Sequence, residues 1–311
     1  MKGSVVSGAP VGEYGAVVRP TWADETEREW HPRDGSRFFT VPESVVRPPK
    51  GAKPLMLLHG IGNNGAIFAP LMPSLAELGP VFAPTMSPEL LAPQEHRRET
   101  VGQLVDWLAE LAPPPWRIVG HSMGGVLTGL VLRTHPEVVS SAVLLNSPLP
   151  GTVGRIQGRN GLDRPGRALL AMKGLARISS FGRPRLPGFL RGAELAVVRT
   201  ALRGFMLDPG ELDDEVISRA IVSSRTTDGI DFLRLAELMP EWELDPHTER
   251  PVEIIVGDSD PLIEVEDHDE VAAAYPDAIV HVAPECAHFV HLERPLFTLD
   301  RIEQFFSATH T

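Results

Sequence analysis

The chain has 311 residues, 42% of them apolar and 23% charged. These are ordinary globular proportions, which exclude a wholly disordered or fibrous protein. A formal net charge of -12 argues against nucleic acid as a partner. The single cysteine, Cys286, excludes an intrachain disulfide, and no apolar run approaches the ~18 residues of a membrane-spanning helix. The first residues, MKGSVVSGAP, do not read as a signal peptide, so the expected location is cytoplasmic.

Residues 1–50 are polar and broken by Pro and Gly. Gly15–Arg19 and Arg37–Val41 are candidate antiparallel edge strands, with a charged surface loop or hairpin between them over Asp24–Arg37. From Lys53 a repeating pattern begins. Pro54–Leu58 is a continuous apolar run ending in His59-Gly60, as a buried strand would be. Ile67–Leu78 has helical spacing and stops at Gly79, and Val81–Ala83 is a short strand stopped by Pro84. Thr100–Leu111 predicts a helix with an apolar stripe, halted by Pro113-Pro114-Pro115. Trp116–Val119 follows as a strand, Met123–Thr134 as a helix and Ser141–Leu145 as a strand.

The alternation lapses from Ser147 to Glu249, a stretch of helical pattern interrupted by glycine and proline. It resumes with Val252–Val256 (strand), Val265–Ala274 (helix), Ala278–Val282 (strand) and Arg294–Phe306 (helix). Strands that alternate with helices predict an α/β fold with a mostly parallel sheet flanked by helices. A helical insert between two strands of one sheet reads as a cap. The expected division is a core of residues 1–146 and 250–311 and a helical cap of 147–249.

Gly120-His121-Ser122-Met123-Gly124 has the form G-x-S-x-G, between an apolar strand and a helix. That context demands a sharp turn that lifts a hydroxyl above the sheet, with small residues on either side. Ser122 is therefore the candidate nucleophile. Serine is a weak nucleophile near neutral pH and needs an adjacent base. His288, in the loop after the last predicted strand, is the leading candidate. His291 is the rival, and His281 lies on the strand itself. The imidazole needs a carboxylate to fix its tautomer. Gly257-Asp258-Ser259-Asp260-Pro261 supplies two acids at a strand's C-terminal end. Asp260 is the choice, while Asp258 shapes the turn. Backbone N–H groups of Met123 and of the His59-Gly60-Ile61-Gly62 loop, at Ile61, are the candidate oxyanion donors.

His59-Gly60, Gly-His-Ser-Met-Gly-Gly, Gly-Asp-Ser-Asp-Pro and Ala-His-Phe-Val-His-Leu-Glu-Arg-Pro together resemble the motifs of capped α/β-hydrolases. The resemblance covers about Lys53–Leu145 and Val252–Phe306, in the family's order. It implies that His288, the histidine before the aromatic, is the catalytic one, and that Asp260, just before proline, is its acid. Two departures stand out. Ala83-Pro84-Thr85-Met86-Ser87 replaces an aspartate and glycine-rich turn common in the family. Asn146 occupies the position after Ser141–Leu145 where some members carry the acid. A serine at the elbow, where related epoxide hydrolases and dehalogenases have aspartate, points to acyl transfer to water.

The resulting expectation is a serine esterase of lipase-like type, acting on a small-molecule ester with a hydrophobic acyl group. The same triad would also serve thioester or carbon–carbon bond hydrolysis. A small-molecule receptor that retains the triad is the alternative of another class. Within the insert, Gly151–Phe205 carries eleven Lys and Arg against two acids, Asp163 and Glu194. A solvated cap packing its apolar face on the core is favoured over docking on an anionic membrane or recognition of an anionic substrate. Cys286 reads as a buried filler. His96, His247 and His268 lack metal-ligand spacing, so neither metal nor cofactor is expected.

Overall fold

The computed structural model describes residues 5–7, 27–29, 37–41, 46–61, 63–86, 97–148, 203–207, 248–263, 265–275 and 277–309. The candidate strand Gly15–Arg19, nearly all of the basic stretch Gly151–Phe205 and most of the insert lie outside these residues.

The strands are β1 (Val5–Ser7), β2 (Glu27–Glu29), β3 (Arg37–Thr40), β4 (Leu55–Leu58), β5 (Val81–Pro84), β6 (Trp116–His121), β7 (Val139–Leu145), β8 (Val252–Gly257) and β9 (Ile279–Ala283). Among the described residues they form one nine-stranded sheet in the order β1-β9-β8-β7-β6-β4-β5-β3-β2. Every pairing from β1 to β5 along that order is parallel. β3 then runs antiparallel to β5, and β2 antiparallel to β3. Arg37–Val41 was expected at the edge, but β2 covers it, and β1 adds an unforeseen parallel strand at the far edge.

Side chains on a strand point alternately to opposite faces, and the core follows that period. Leu55 and Leu57 of β4 face one cluster, with Val119, Val143, Leu145 and Ile255. Met56 and Leu58 face the other, with Ile118, Ala142, Leu144 and Ile254. The first cluster is closed by α1 (Met72–Ala76) and α6 (Pro295–Ala308). The second is closed by α2 (Arg97–Leu111), α3 (Met123–Thr134) and α4 (Val265–Ala274). Both faces of the central strands β4, β6 and β7 are thus buried, which is why they carry runs of apolar residues.

The single helix expected over Ile67–Leu78 is instead two pieces, a 3₁₀ turn at Gly65–Phe68 and the short α1. Pro70 and Pro73 explain the break. Proline has no N–H to donate, and its ring collides with the preceding turn, so Pro70 falls in the turn between the two pieces and Pro73 at a helix start. Pro73 sits in the first turn of α1. The helix expected at Arg294–Phe306 is preceded by a separate turn, α5 (Val290–Glu293), and Pro295 opens α6.

Candidate active site

Ser122, Asp260 and His288 lie beyond the C-terminal ends of the parallel strands β6, β8 and β9, the edge at which open α/β sheets place their sites. Ser122 follows β6 and directly precedes α3, with φ 52° and ψ -118°. A non-glycine residue in this region carries strain of about 1–3 kcal/mol. Close packing around the turn holds it there. A Cβ on Gly124 would lie 2.0 Å from the carbonyl oxygen of Leu58, and one on Gly120 would lie 2.5 Å from that of Gly124. Only glycine lets the helix start approach β4 so nearly.

Ser122 Oγ lies 3.1 Å from His288 Nε2. His288 Nδ1 lies 2.8 Å from Asp260 Oδ2. With the proton on Nδ1, where it donates to the carboxylate, Nε2 is left to accept from the serine hydroxyl. All three side chains are buried. Asp260 Oδ1 accepts from the N–H groups of Leu262 and Ile263, at 2.8 and 3.2 Å. Burial pushes the Asp260 carboxyl up. The opposing pull of the His288 charge and of hydrogen bonds from His288, Leu262 N–H and Asn146 prevails, and the carboxyl sits below its ordinary value. It is ionised at neutral pH.

Asn146 has a larger part than the sequence suggested. It is fully buried at the end of β7 with φ 42°. Its side-chain amide donates to Asp260 Oδ2 at 2.7 Å and to the carbonyl of Ala287 at 3.2 Å. Its Oδ1 accepts from Val290 N–H at 3.4 Å. The residue therefore joins the acid to the histidine's loop. The available signal was a lone amide side chain directly after the apolar run Ala142–Leu145.

Asp258 does shape a turn, but chiefly that of the histidine loop. It accepts from Ser259 Oγ and from the N–H groups of Glu285 and Cys286, at 3.0, 3.0 and 3.2 Å. Cys286 is buried, and burial pushes its thiol well above the usual range, so it stays protonated. His281 pairs with Glu253 of β8 at 3.1 Å, away from the serine.

Three further histidines are buried around the same edge. His59 accepts from Met86 N–H at 2.9 Å on Nε2, and its Nδ1 lies 2.8 Å from the carbonyl of Gly60. It thereby ties the loop bearing Ile61 to the divergent segment after β5. Burial lowers its pKa to about 4. His121 Nε2 lies 2.9 Å from the carbonyl of His288. Burial, followed by the charges of His291 and His288, holds its pKa well below 6.5. His291, the rival base, stacks near Phe68 and His121 with ring centroids 5.2 and 4.5 Å away. Neither of its nitrogens has a partner among the described residues, and burial lowers its pKa to about 3.

The Ile61 loop packs directly on the serine. A Cβ on Gly60 would lie 3.1 Å from Ser122 Cβ and 2.9 Å from His121 Nδ1. Met123 is the first residue of α3, where amides lack intrahelical partners. A hydroxyl, an imidazole and an ionised carboxylate in this order can transfer the hydroxyl's proton as the oxygen attacks an electrophile.

Residues 55–301 match the model of the alpha/beta hydrolase family. The chain belongs to that family. Among similar proteins of known function is 2-(acetamidomethylene)succinate hydrolase of Mesorhizobium japonicum, 25% identical over 83% of this chain and 90% of the relative. The sn-1-specific diacylglycerol lipase ABHD11 of Mus musculus is 23% identical over 64% of this chain and 61% of the relative. Of solved structures, a membrane phospholipase A described as a bacterial virulence factor superposes with a TM-score of 0.65 at 17% identity, covering 92% of this chain and 87% of that one. The relatives of this alpha/beta hydrolase are themselves hydrolases. No helix among its described residues is long and apolar enough to cross a membrane. Among the same residues no group of three or more His, Cys, Asp or Glu could hold a metal ion.

Proposed function

We propose that this alpha/beta hydrolase cleaves carboxylic esters with a hydrophobic acyl group, lipid-like ones included, through an acyl-enzyme intermediate. The observation that carries the reading is the unbroken hydrogen-bond chain from Ser122 through His288 to Asp260. In this reading Ser122 Oγ attacks the ester carbonyl while His288 Nε2 takes its proton. Asp260 keeps the imidazole in the productive tautomer and stabilises its cation. The backbone N–H groups of Ile61 and Met123 receive the oxyanion. Collapse expels the alcohol, which takes the proton from His288. Water then attacks the acyl carbon with His288 again as base, releasing the acid and restoring Ser122.

The preference for hydrophobic esters draws support from the mouse relative, a diacylglycerol lipase. Diacylglycerols are esters with apolar acyl chains. The single cysteine fits a reducing compartment, and a cytoplasmic location belongs to this reading. So does the division into a core of residues 1–146 and 250–311 and a cap of 147–249, which draws support from the lapse of strand–helix alternation between Ser147 and Glu249.

The test is a fluorophosphonate probe together with a panel of p-nitrophenyl esters and thioesters of increasing chain length. We expect an adduct on Ser122, faster turnover of medium and long acyl chains than of acetate, and no turnover by Ser122→Ala. An unlabelled wild-type protein would favour a binding protein, and equal rates across chain lengths would remove the acyl preference.

A further inference from the structure

The loop that carries His288 spends every one of its backbone amides on a partner outside itself. Glu285 and Cys286 N–H donate to Asp258. Ala287 N–H donates to Glu293 Oε1 at 3.2 Å, and Phe289 N–H to the same oxygen at 3.3 Å. His288 N–H donates to the carbonyl of Phe205 at 2.9 Å, and Val290 N–H to Asn146. Buried amides are rarely left unpaired, so these acceptors determine where the loop can rest.

Two of the acceptors involve a short strap of the insert, Phe205–Leu207. Phe205 supplies the carbonyl that meets the backbone of His288 itself. Leu207 N–H donates to Glu293 Oε2 at 2.9 Å, so one carboxylate holds the strap with one oxygen and the histidine loop with the other. Phe205 and Met206 are buried in the core cluster that also contains Phe289 and Val290. The strap is therefore docked by apolar packing as well as by hydrogen bonds. Among the described residues neither Phe205 nor Glu293 is hydrogen-bonded to Ser122 or Asp260, although the charges of Glu293 and Asp260 repel.

We propose that Glu293 is a positioning residue that couples the Phe205–Leu207 strap of the insert to the histidine loop, so that the reactivity of His288 depends on the docking of the strap. The inference rests on the Ser122–His288–Asp260 reading above and adds a dependence of its base on the insert. Chemistry at the carboxylate makes the coupling testable without removing bulk. A glutamine at 293 has one acceptor oxygen and one donor amide. It can accept from the loop amides or from Leu207 N–H, but not from both, because its NH₂ would face an N–H. A displacement near 1 Å of a base costs catalysis far more than it costs binding.

The experiment compares wild-type protein, Glu293→Gln and Leu207→Pro by fluorophosphonate labelling and by steady-state hydrolysis of one p-nitrophenyl ester, with circular dichroism to establish folding. Leu207→Pro deletes the strap's donor while leaving Glu293 in place, and it serves if Glu293→Gln does not fold. We expect both variants to be labelled on the order of tenfold more slowly, with a matching fall in kcat and little change in KM. Labelling and kcat at the wild-type level in either folded variant would overturn the coupling while leaving the triad intact. A change confined to KM would do the same, by assigning the strap to substrate binding. Absence of any adduct in wild-type protein would instead bring down the triad and, with it, this proposal.

Discussion

His291 is the most informative place to perturb this protein outside the proton path. Its imidazole is fully buried, and burial lowers its pKa from 6.5 to about 3. Between those values the unfolded chain binds a proton that the folded chain refuses, so stability rises with pH and is lost on acidification. At pH 5 the unfolded imidazole is protonated and the folded one is not. The difference of 1.5 pH units from 6.5 is worth about 2 kcal/mol. His59, lowered to about 4, adds a similar amount by the same sign. Against a total stability of ~5–15 kcal/mol, such losses are large. Glu293 and Glu303, whose carboxyls burial pushes up, act in the opposite sense close to the carboxylate range. They are common to any pair of variants and cancel in the difference. Phenylalanine fills the His291 site without titrating, against the ring of Phe68. Urea unfolding of wild-type protein and His291→Phe at pH 7 and pH 5 should show that the wild type loses about 2 kcal/mol more on acidification than the variant. At pH 7 the variant should be at least as stable, since it removes buried nitrogens that lack partners among the described residues. Equal pH dependence in the two proteins would refute the claim that His291 is held neutral by burial.

Asp260→Asn should fold and lower kcat/KM for a p-nitrophenyl ester by about 10³–10⁴-fold, because an amide leaves the wrong imidazole tautomer favoured. Ester turnover within tenfold of wild type would contradict the carboxylate's role. Ser122→Gly should abolish turnover yet raise stability in urea by roughly 1 kcal/mol, since glycine adopts φ 52° without strain; Ser122→Ala should not stabilise. Gly124→Ala should fail to give soluble folded protein, because its Cβ would sit 2.0 Å from a β4 carbonyl, and a native circular dichroism spectrum would show that α3 can shift away.

Legibility in the sequence tracked how local each determinant is. β4, β6 and β7 are buried on both faces, so their apolar runs identify them without any knowledge of neighbours. The serine turn is equally local, since its glycines are required by contacts within a strand–turn–helix unit. β1 is different. Val5–Ser7 is a strand because it pairs with Val280–Val282 near the other end of the chain, and nothing in three residues announces such a partner. The break between Gly65–Phe68 and α1 was written in Pro70 and Pro73, and an apolar period that looked helical concealed it. Asn146 and Glu293 escaped for a further reason. Their importance lies in which amides and carboxylate oxygens they meet across the sheet edge, and those meetings exist only once β7, β8 and the histidine loop are assembled.

Among the described residues four buried histidines lie around this edge, and their surroundings separate them. An imidazole can act as a base in acyl transfer only if the site tolerates its cation. For His59, His121 and His291 burial is the leading influence, and it drives each toward the neutral form. Among the described residues no carboxylate is bonded to them, and their contacts are backbone groups and aromatic rings. His288 alone among the four meets a buried aspartate, one held ionised by Leu262, Ile263 and Asn146. In the proposed reaction His288 is the one of these four that has a carboxylate partner, which favours it over His291 on grounds independent of any family motif.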